Sequence, residues 1–220
     1  YEAALNIANG SKCSIGDQLH PSGLMDEATY TLIGKAYSEV EEKEAWCDDV
    51  TAVADIAIFS NEAAENMNKK IKEHSINTGS SDAGTVRIML EGKYLFNVID
   101  HMEDFGKYKL IILPDGIRIS KELKEKLDTF ADNGGKILAT GESGLGMDLD
   151  EFLYDFGVKC EGVNPFKPDY FVPDFELKSL GNAAFIMYSE GMKVSLAGGE
   201  ELGKRENSYF NRTVEHFCSH

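Results

Sequence analysis

YKLIILPDGIRISKELKEKLDTFADNGGKILATGESG, residues 108–144, is the stretch that decides the fold. Lys109–Leu113 is a short apolar run closed by Pro114-Asp115-Gly116, and it reads as a buried strand. Ser120 is placed to cap a helix, because its hydroxyl can accept an orphan N–H of the first turn. Leu123, Leu127, Phe130 and Ala131 then recur at helical spacing and form one apolar face. Asn133-Gly134-Gly135 stops the helix, since Asn and Gly tolerate the left-handed conformation that ends helices. Lys136–Thr140 is the next strand. Strand, crossover helix and strand of these lengths make a βαβ unit with parallel strands.

Working outward towards the start, Ala54–Phe59 is apolar, bounded by Ser60-Asn61, and reads as the first strand of the same domain. Glu62–His74 is helix-like but polar, and Asn77–Ser81 reads as a loop. A helix begins near Asp82 and carries Val86, Leu90 and Tyr94; Phe96–Ile99 is a second strand. Nearer the start, Ala3–Ala8 ends a helix closed by Asn9-Gly10, and Lys12–Ile15 reads as a short strand. Asp26 caps a helix over 28–45 with Tyr30, Ile33, Tyr37 and Val40 on one face. The acidic run Glu39–Glu44 on that helix reads as a solvated face.

Beyond the central unit, Leu149–Phe156 reads as a short helix and Val158–Val163 as an edge strand. Asn164–Asp174 holds three of the five prolines and reads as an irregular surface loop. Ala184–Tyr188 and Lys193–Leu196 are expected to pair around Ser189-Glu190-Gly191. Glu200–His220 is polar and aromatic. The sequence shows no internal repeat and no low-complexity tract.

The 220 residues are 42% hydrophobic and 27% charged, enough for a core without metals or disulfides. The formal net charge is −16, and such a surface repels both nucleic-acid phosphates and anionic membranes. No apolar run approaches the roughly 20 residues of a spanning helix, and no signal peptide is legible. Cys13, Cys47, Cys160 and Cys218 are widely spaced with no C-x-x-C pair, which reads as reduced thiols and a cytoplasmic location. The chain starts at Tyr1 rather than Met, as a fragment or processed chain would.

Candidate chemistry is sparse. Gly141-Glu142-Ser143-Gly144 sits where a nucleophile elbow would, but G-x-S-x-G needs Gly where Leu145 stands, so the bland reading is a tight turn. Gly144-Leu145-Gly146 lacks the third glycine of a dinucleotide loop. Asp115 lies at a strand's carboxyl end, where open α/β sheets bind ligands, and also where a turn-forming Asp belongs. Asp115, Glu142 and Ser143 are therefore a candidate strand-end pocket. His216, Cys218 and His220 alternate, but metal ligation needs more ligands in fixed geometry, and no metal or other cofactor is expected. Asp17 and His20, crowded with Gln18 and Ser22 just past the first short strand, are the other candidate site.

Several motifs resemble one bacterial family of glycoside hydrolases. They are IGDQLHPSG (15–23), TYTLIGKAYSEVEEKEAWC (29–47), VADIAIFS (53–60), YKLIILPDG (108–116), NGGKILATGESGL (133–145) and YFNRTVEHFCSH (209–220). In that family a TIM-type barrel precedes a domain resembling the trimerisation domain of β-galactosidases. The resemblance implies a flavodoxin-like, class I glutamine amidotransferase-like three-layer α/β sandwich with a mostly parallel sheet. It implies residues 1–24 as the tail of a barrel, 25–50 as a linking helix, 51–200 as the α/β domain and 201–220 as the start of a further segment. True amidotransferases carry a cysteine elbow, and none of the four cysteines has that context. The resemblance implies a non-catalytic accessory and oligomerisation domain, a homo-oligomer with a trimer as the family's form, meeting carbohydrate only through the barrel, with Asp17 and His20 near the sugar. The alternative is a stand-alone small-molecule-binding or hydrolytic domain that uses Asp115, Glu142 and Ser143.

Overall fold

The computed structural model describes residues 1–67, 81–147, 151–178, 180–181, 183–189 and 191–209. The chain divides into two compact units, Tyr1–Val53 and Ala54–His220. Among the described residues no helix is long and apolar enough to cross a membrane.

The first unit holds α1 (Glu2–Ala8) and α2 (Glu27–Cys47), which pack against each other. The Asp26 carboxylate accepts the N–H groups of Ala28 at 2.9 Å and Thr29 at 3.3 Å, so α2 starts where the capping residue predicts. Ile7 and Val40 are the buried side chains, Tyr30 and Ile33 are half-buried, and Tyr37 is exposed. The Glu39–Glu44 run is solvated apart from Val40, with Lys43 and Glu39 paired at 3.4 Å. Lys12–Ile15 is not a strand. A strand exists only through a paired ladder, and no described strand lies beside this segment.

The second unit begins with β1 (Ile56–Phe59), α3 (Asn61–Met67), α4 (Ser81–Glu91), β2 (Phe96–Ile99), β3 (Leu110–Leu113), α5 (Lys121–Asp132) and β4 (Lys136–Ala139). The four strands form one parallel sheet in the order β2-β1-β3-β4. The apolar runs of this stretch are strands, and the capped periodic segment is α5, as the sequence predicts. Ser120 Oγ accepts the Leu123 N–H at 3.1 Å to start α5, and Gly134, at φ +92°, ends it.

Strand alternation sends Ala57, Phe59, Ile111 and Leu113 to one face, where Leu123, Leu127 and Phe130 of α5 complete the main core. Phe105 closes this core edge-on against Phe59 and Phe130, each 6.4 Å away between ring centres. The Lys126 ammonium caps the Phe105 ring at 4.4 Å. Ile58 and Ile112 point to the opposite face and are buried there too. Their row neighbours in register, Val98 on β2 and Leu138 on β4, are exposed. The connections from β1 outward to β2 and from β3 outward to β4 each carry helix, as parallel strands require.

Helix α4 ends at Glu91, and Tyr94 lies outside it. Lys93 at φ +59° turns the chain towards β2, with the Tyr94 N–H donated back to Met89 O at 3.0 Å. Of the loop expected over Asn77–Ser81, residues 77–80 lie outside the described residues and Ser81 begins α4; the expected helix beyond Met67 also lies outside them.

Five further strands follow: β5 (Val158–Val163), β6 (Asp169–Pro173), β7 (Phe185–Met187), β8 (Met192–Leu196) and β9 (Gly203–Asn207). They form two antiparallel sheets, β5-β8 and β7-β6-β9. Three expectations fail here. The proline-rich segment contains β6, a central strand, because Pro173 sits at the strand's end and the β-favouring Tyr170-Phe171-Val172 lies inside it. Residues 185–187 and 192–196 do not pair with each other, since each finds a partner in a different sheet. Residues 151–156 are not helical: Gly146 N–H is donated to Glu151 O at 3.0 Å and Leu153 N–H to Gly144 O at 2.9 Å, while Leu153, Tyr154 and Phe156 pack on the core. Residues 149 and 150 of that expected helix lie outside the described residues.

The core makes a direct stability prediction. Leu127→Ala removes a wholly buried side chain and should cost about 3 kcal/mol. Leu202→Ala, at a site 64% exposed, should stay within about 0.5 kcal/mol of the parent. Urea unfolding followed by circular dichroism measures both.

Candidate functional site

The carboxyl ends of β3 and β4 hold all three strand-end candidates. Strand β3 runs into Pro114-Asp115-Gly116 and β4 into Thr140-Gly141-Glu142-Ser143. Thr140 Oγ1 donates to Asp115 Oδ1, which ties the two strand ends together. Gly141 is required at its position. Its φ is +57°, and a Cβ there would lie 2.6 Å from the Asp115 carboxyl carbon.

Ser143 is buried, with 1% of its surface exposed. Its Oγ accepts the Ile117 N–H at 3.0 Å and donates to Pro114 O. The hydroxyl is thereby committed to holding the turn after β3. A nucleophile needs an accessible oxygen with its proton directed to a base, and here the proton goes to a backbone carbonyl. Glu142 is paired with Arg118 at 2.9 Å, both side chains being largely covered. Arg118 also donates to Gly146 O at 3.3 Å.

The same network reaches the other strand ends. Ser81 Oγ, at the start of α4, donates to Asp115 O at 3.0 Å, and Asn61 Nδ2, at the start of α3, donates to Ser81 Oγ. The Asn61 N–H is donated to Asp82 Oδ2 at 3.3 Å. The place where an open α/β sheet receives a ligand is therefore filled by the protein's own hydrogen bonds.

Beside this network lies a cleft of about 950 Å³, bordered by Asp115, Thr140, Tyr170, Asp169 and Arg205. The sequence reading missed the buried carboxylate in its wall. Asp169, 3% exposed, is ion-paired with Arg205 Nε at 2.8 Å and accepts Asn164 Nδ2 at 2.7 Å. No local signal marks it, because Arg205 is brought in by β9 from 36 residues away (205 − 169). A buried carboxylate with these partners joins β6, β9 and the loop at Asn164, and it is a structural staple. A second cavity of about 580 Å³ lies between the turn at Phe105 and α5, lined by Glu103, Lys126, Thr129 and Asn133. At its rim the Lys107 side chain hydrogen-bonds Glu103 and holds that carboxyl below the usual range.

Asp17 and His20 belong to the first unit and are exposed. His20 Nδ1 accepts the Ser22 N–H at 3.2 Å and lies 2.8 Å from Ser22 Oγ, a local turn that fixes the ring. Among the described residues no three His, Cys, Asp or Glu side chains group as metal ligands. Cys13, Cys47 and Cys160 are free thiols, while His216, Cys218 and His220 lie outside the described residues.

The family profile described as the β-galactosidase trimerisation domain matches residues 54–159. The chain is similar over its whole length to a solved α-L-fucosidase isoenzyme 2 from Paenibacillus thiaminolyticus. The identity is 48% and the TM-score 0.86, with 100% of this chain and 33% of that one covered. A cold-adapted β-galactosidase from Rahnella sp. R3 shares the fold at 16% identity and TM-score 0.69, over 88% of this chain and 31% of that one. A β-galactosidase from Bacillus circulans sp. alkalophilus does so at 15% and 0.71, over 89% and 31%. The chain spans about a third of the length of these structures. No curated protein matches it.

Two substitutions separate structural from chemical roles. Ser143→Ala leaves the Ile117 N–H and Pro114 O unpaired in the interior and should cost about 2 kcal/mol. Arg205→Ala strands the Asp169 carboxylate and should cost about 3 kcal/mol. Both are read from denaturant midpoints, and neither should alter any hydrolysis rate of the purified chain.

Proposed function

We propose that this chain is the self-associating, non-catalytic C-terminal part of a longer glycoside hydrolase, because residues 54–159 match the β-galactosidase trimerisation domain family. The observation that carries the proposal is the coincidence of that match with a strand-end network in which Ser143 is sealed. Ser143 spends both hydrogen-bonding functions on the backbone, so the fold is used as a scaffold. This also disfavours the stand-alone hydrolytic reading, which needs Ser143 or Glu142 to be available.

The finer fold belongs to the same proposal. The parallel order β2-β1-β3-β4, with β1 flanked by a crossover on each side, supports a flavodoxin-like, amidotransferase-like three-layer layout. Residues 1–24 are then the tail of a barrel, 25–50 a linking helix, 51–200 the trimerisation-like domain and 201–220 the beginning of a further segment. Asp17 and His20 would meet carbohydrate at the barrel's mouth, a role supported by their exposure. The 48% identity to an α-L-fucosidase favours a fucoside-cleaving parent over a galactoside-cleaving one. A homo-oligomer, trimeric by the family's description, is the proposed partner state. The free thiols support a cytoplasmic location.

The test is a pair of measurements on the purified 220-residue chain. Sedimentation velocity should show a species several times the 24.3 kDa chain mass. Nitrophenyl α-L-fucoside and β-D-galactoside should remain unhydrolysed. A strictly monomeric chain, or turnover abolished by Ser143→Ala, would sink the reading.

A further inference from the structure

Helix α4 is built the wrong way round for a helix that only covers its own sheet. It buries no side chain completely, whereas α5 buries Leu123, Leu127 and Phe130. Its Ile88 and Leu90 are each more than half exposed. Tyr94 and Leu95 in the connection and Val98 on β2 are again each more than half exposed, with Phe96 and Asn97 half-buried between them. Strand β2 is an edge of the parallel sheet, and α4, which packs on β1, leads into it through the connection at Tyr94 and Leu95. Among the described residues of 54–159 the other exposed large apolar side chains are Met102, four residues on, and Leu138 on the opposite edge strand. The family match covers the same residues.

Charge points the same way. The chain carries −16, and a contact between two copies must avoid setting acid against acid. Residues 81–99 hold Asp82 and Glu91 against Arg87 and Lys93, two of each sign and no net charge. Arg87 and Glu91 are also paired with each other at 2.7 Å. An apolar, aromatic-bearing border with no excess of acid, on a strongly acidic chain, has the composition of an interface core.

We propose that the border formed by the second half of α4, Tyr94, Leu95 and β2 is the surface through which copies of this chain meet. This rests on the self-association reading above and names its location. In a closed ring each copy would present this border to its neighbour.

The test is multi-angle light scattering on the 220-residue chain, its Ile88→Glu/Leu95→Glu variant, and a Leu202→Glu control placed at an exposed site outside the border. The double variant should fall to the 24.3 kDa monomer at concentrations where the parent and the control remain assembled. A parent that assembles while the double variant assembles equally well overturns the location and leaves the functional reading standing. The border would then belong to a contact with another part of a longer chain. A parent that is monomeric at every concentration overturns both. If the double variant loses its circular dichroism signal, Leu95→Glu alone decides: its side chain is 69% exposed, so it should keep the fold and weaken assembly at least roughly tenfold, and unchanged assembly would overturn the location.

Discussion

The structure depends on one constraint, the parallel pairing of β1 with β3 at the centre of the sheet. Ala57, Ile58 and Phe59 on one strand and Ile111, Ile112 and Leu113 on the other are almost wholly removed from water on both faces. Parallel neighbours cannot be joined by a hairpin, so each needs a crossover that carries chain over the sheet. From β1 the crossover runs outward to β2 and from β3 outward to β4, so the strand order diverges from the β1–β3 centre. The burial is large enough to fix register, since a one-residue slip would exchange Phe59 and Leu113 for their opposite-face neighbours.

The divergence also creates the crevice at the strand ends, where α/β folds of this kind hold ligands. Here Asn61, Ser81, Asp115, Thr140 and Ser143 bond to one another or to the backbone across that crevice. Each of these groups would cost free energy if buried without a partner, and each has one. The arrangement stabilises the ends of three strands and leaves the serine no proton acceptor except a carbonyl. The working surface is then displaced from the crevice to the outer border, where the apolar side chains of α4 and β2 remain uncovered.

The parallel half was legible in the sequence because its signals are local. Apolar runs of four or five residues end in Pro-Asp-Gly or Ser-Asn, and Ser120 and Gly134 bracket α5 within the same stretch. The antiparallel half was not, because its strands are defined by distant partners. Asp169 pairs with Asn207, and nothing near Tyr170-Phe171-Val172 announces that Gly203–Asn207 will lie beside it. Lys12–Ile15 failed in the opposite sense: its pattern suits a strand, but a pattern without a neighbour forms none. For the site, the positions of Asp115, Glu142 and Ser143 at strand ends could be read in advance. Their roles could not, since the burial of Ser143 depends on Ile117 and Pro114, and the partner of Glu142 is Arg118 across the turn.

The central claim is that the strand-end network is architecture and the α4–β2 border is the surface that acts. Hydrogen–deuterium exchange of the 220-residue chain, measured across a hundredfold range of concentration, tests it directly. Amides in residues 81–99 should gain protection as concentration rises, while those of residues 108–144 keep the same exchange at every concentration. Protection that rises in 108–144 and not in 81–99, or in neither, would contradict the account.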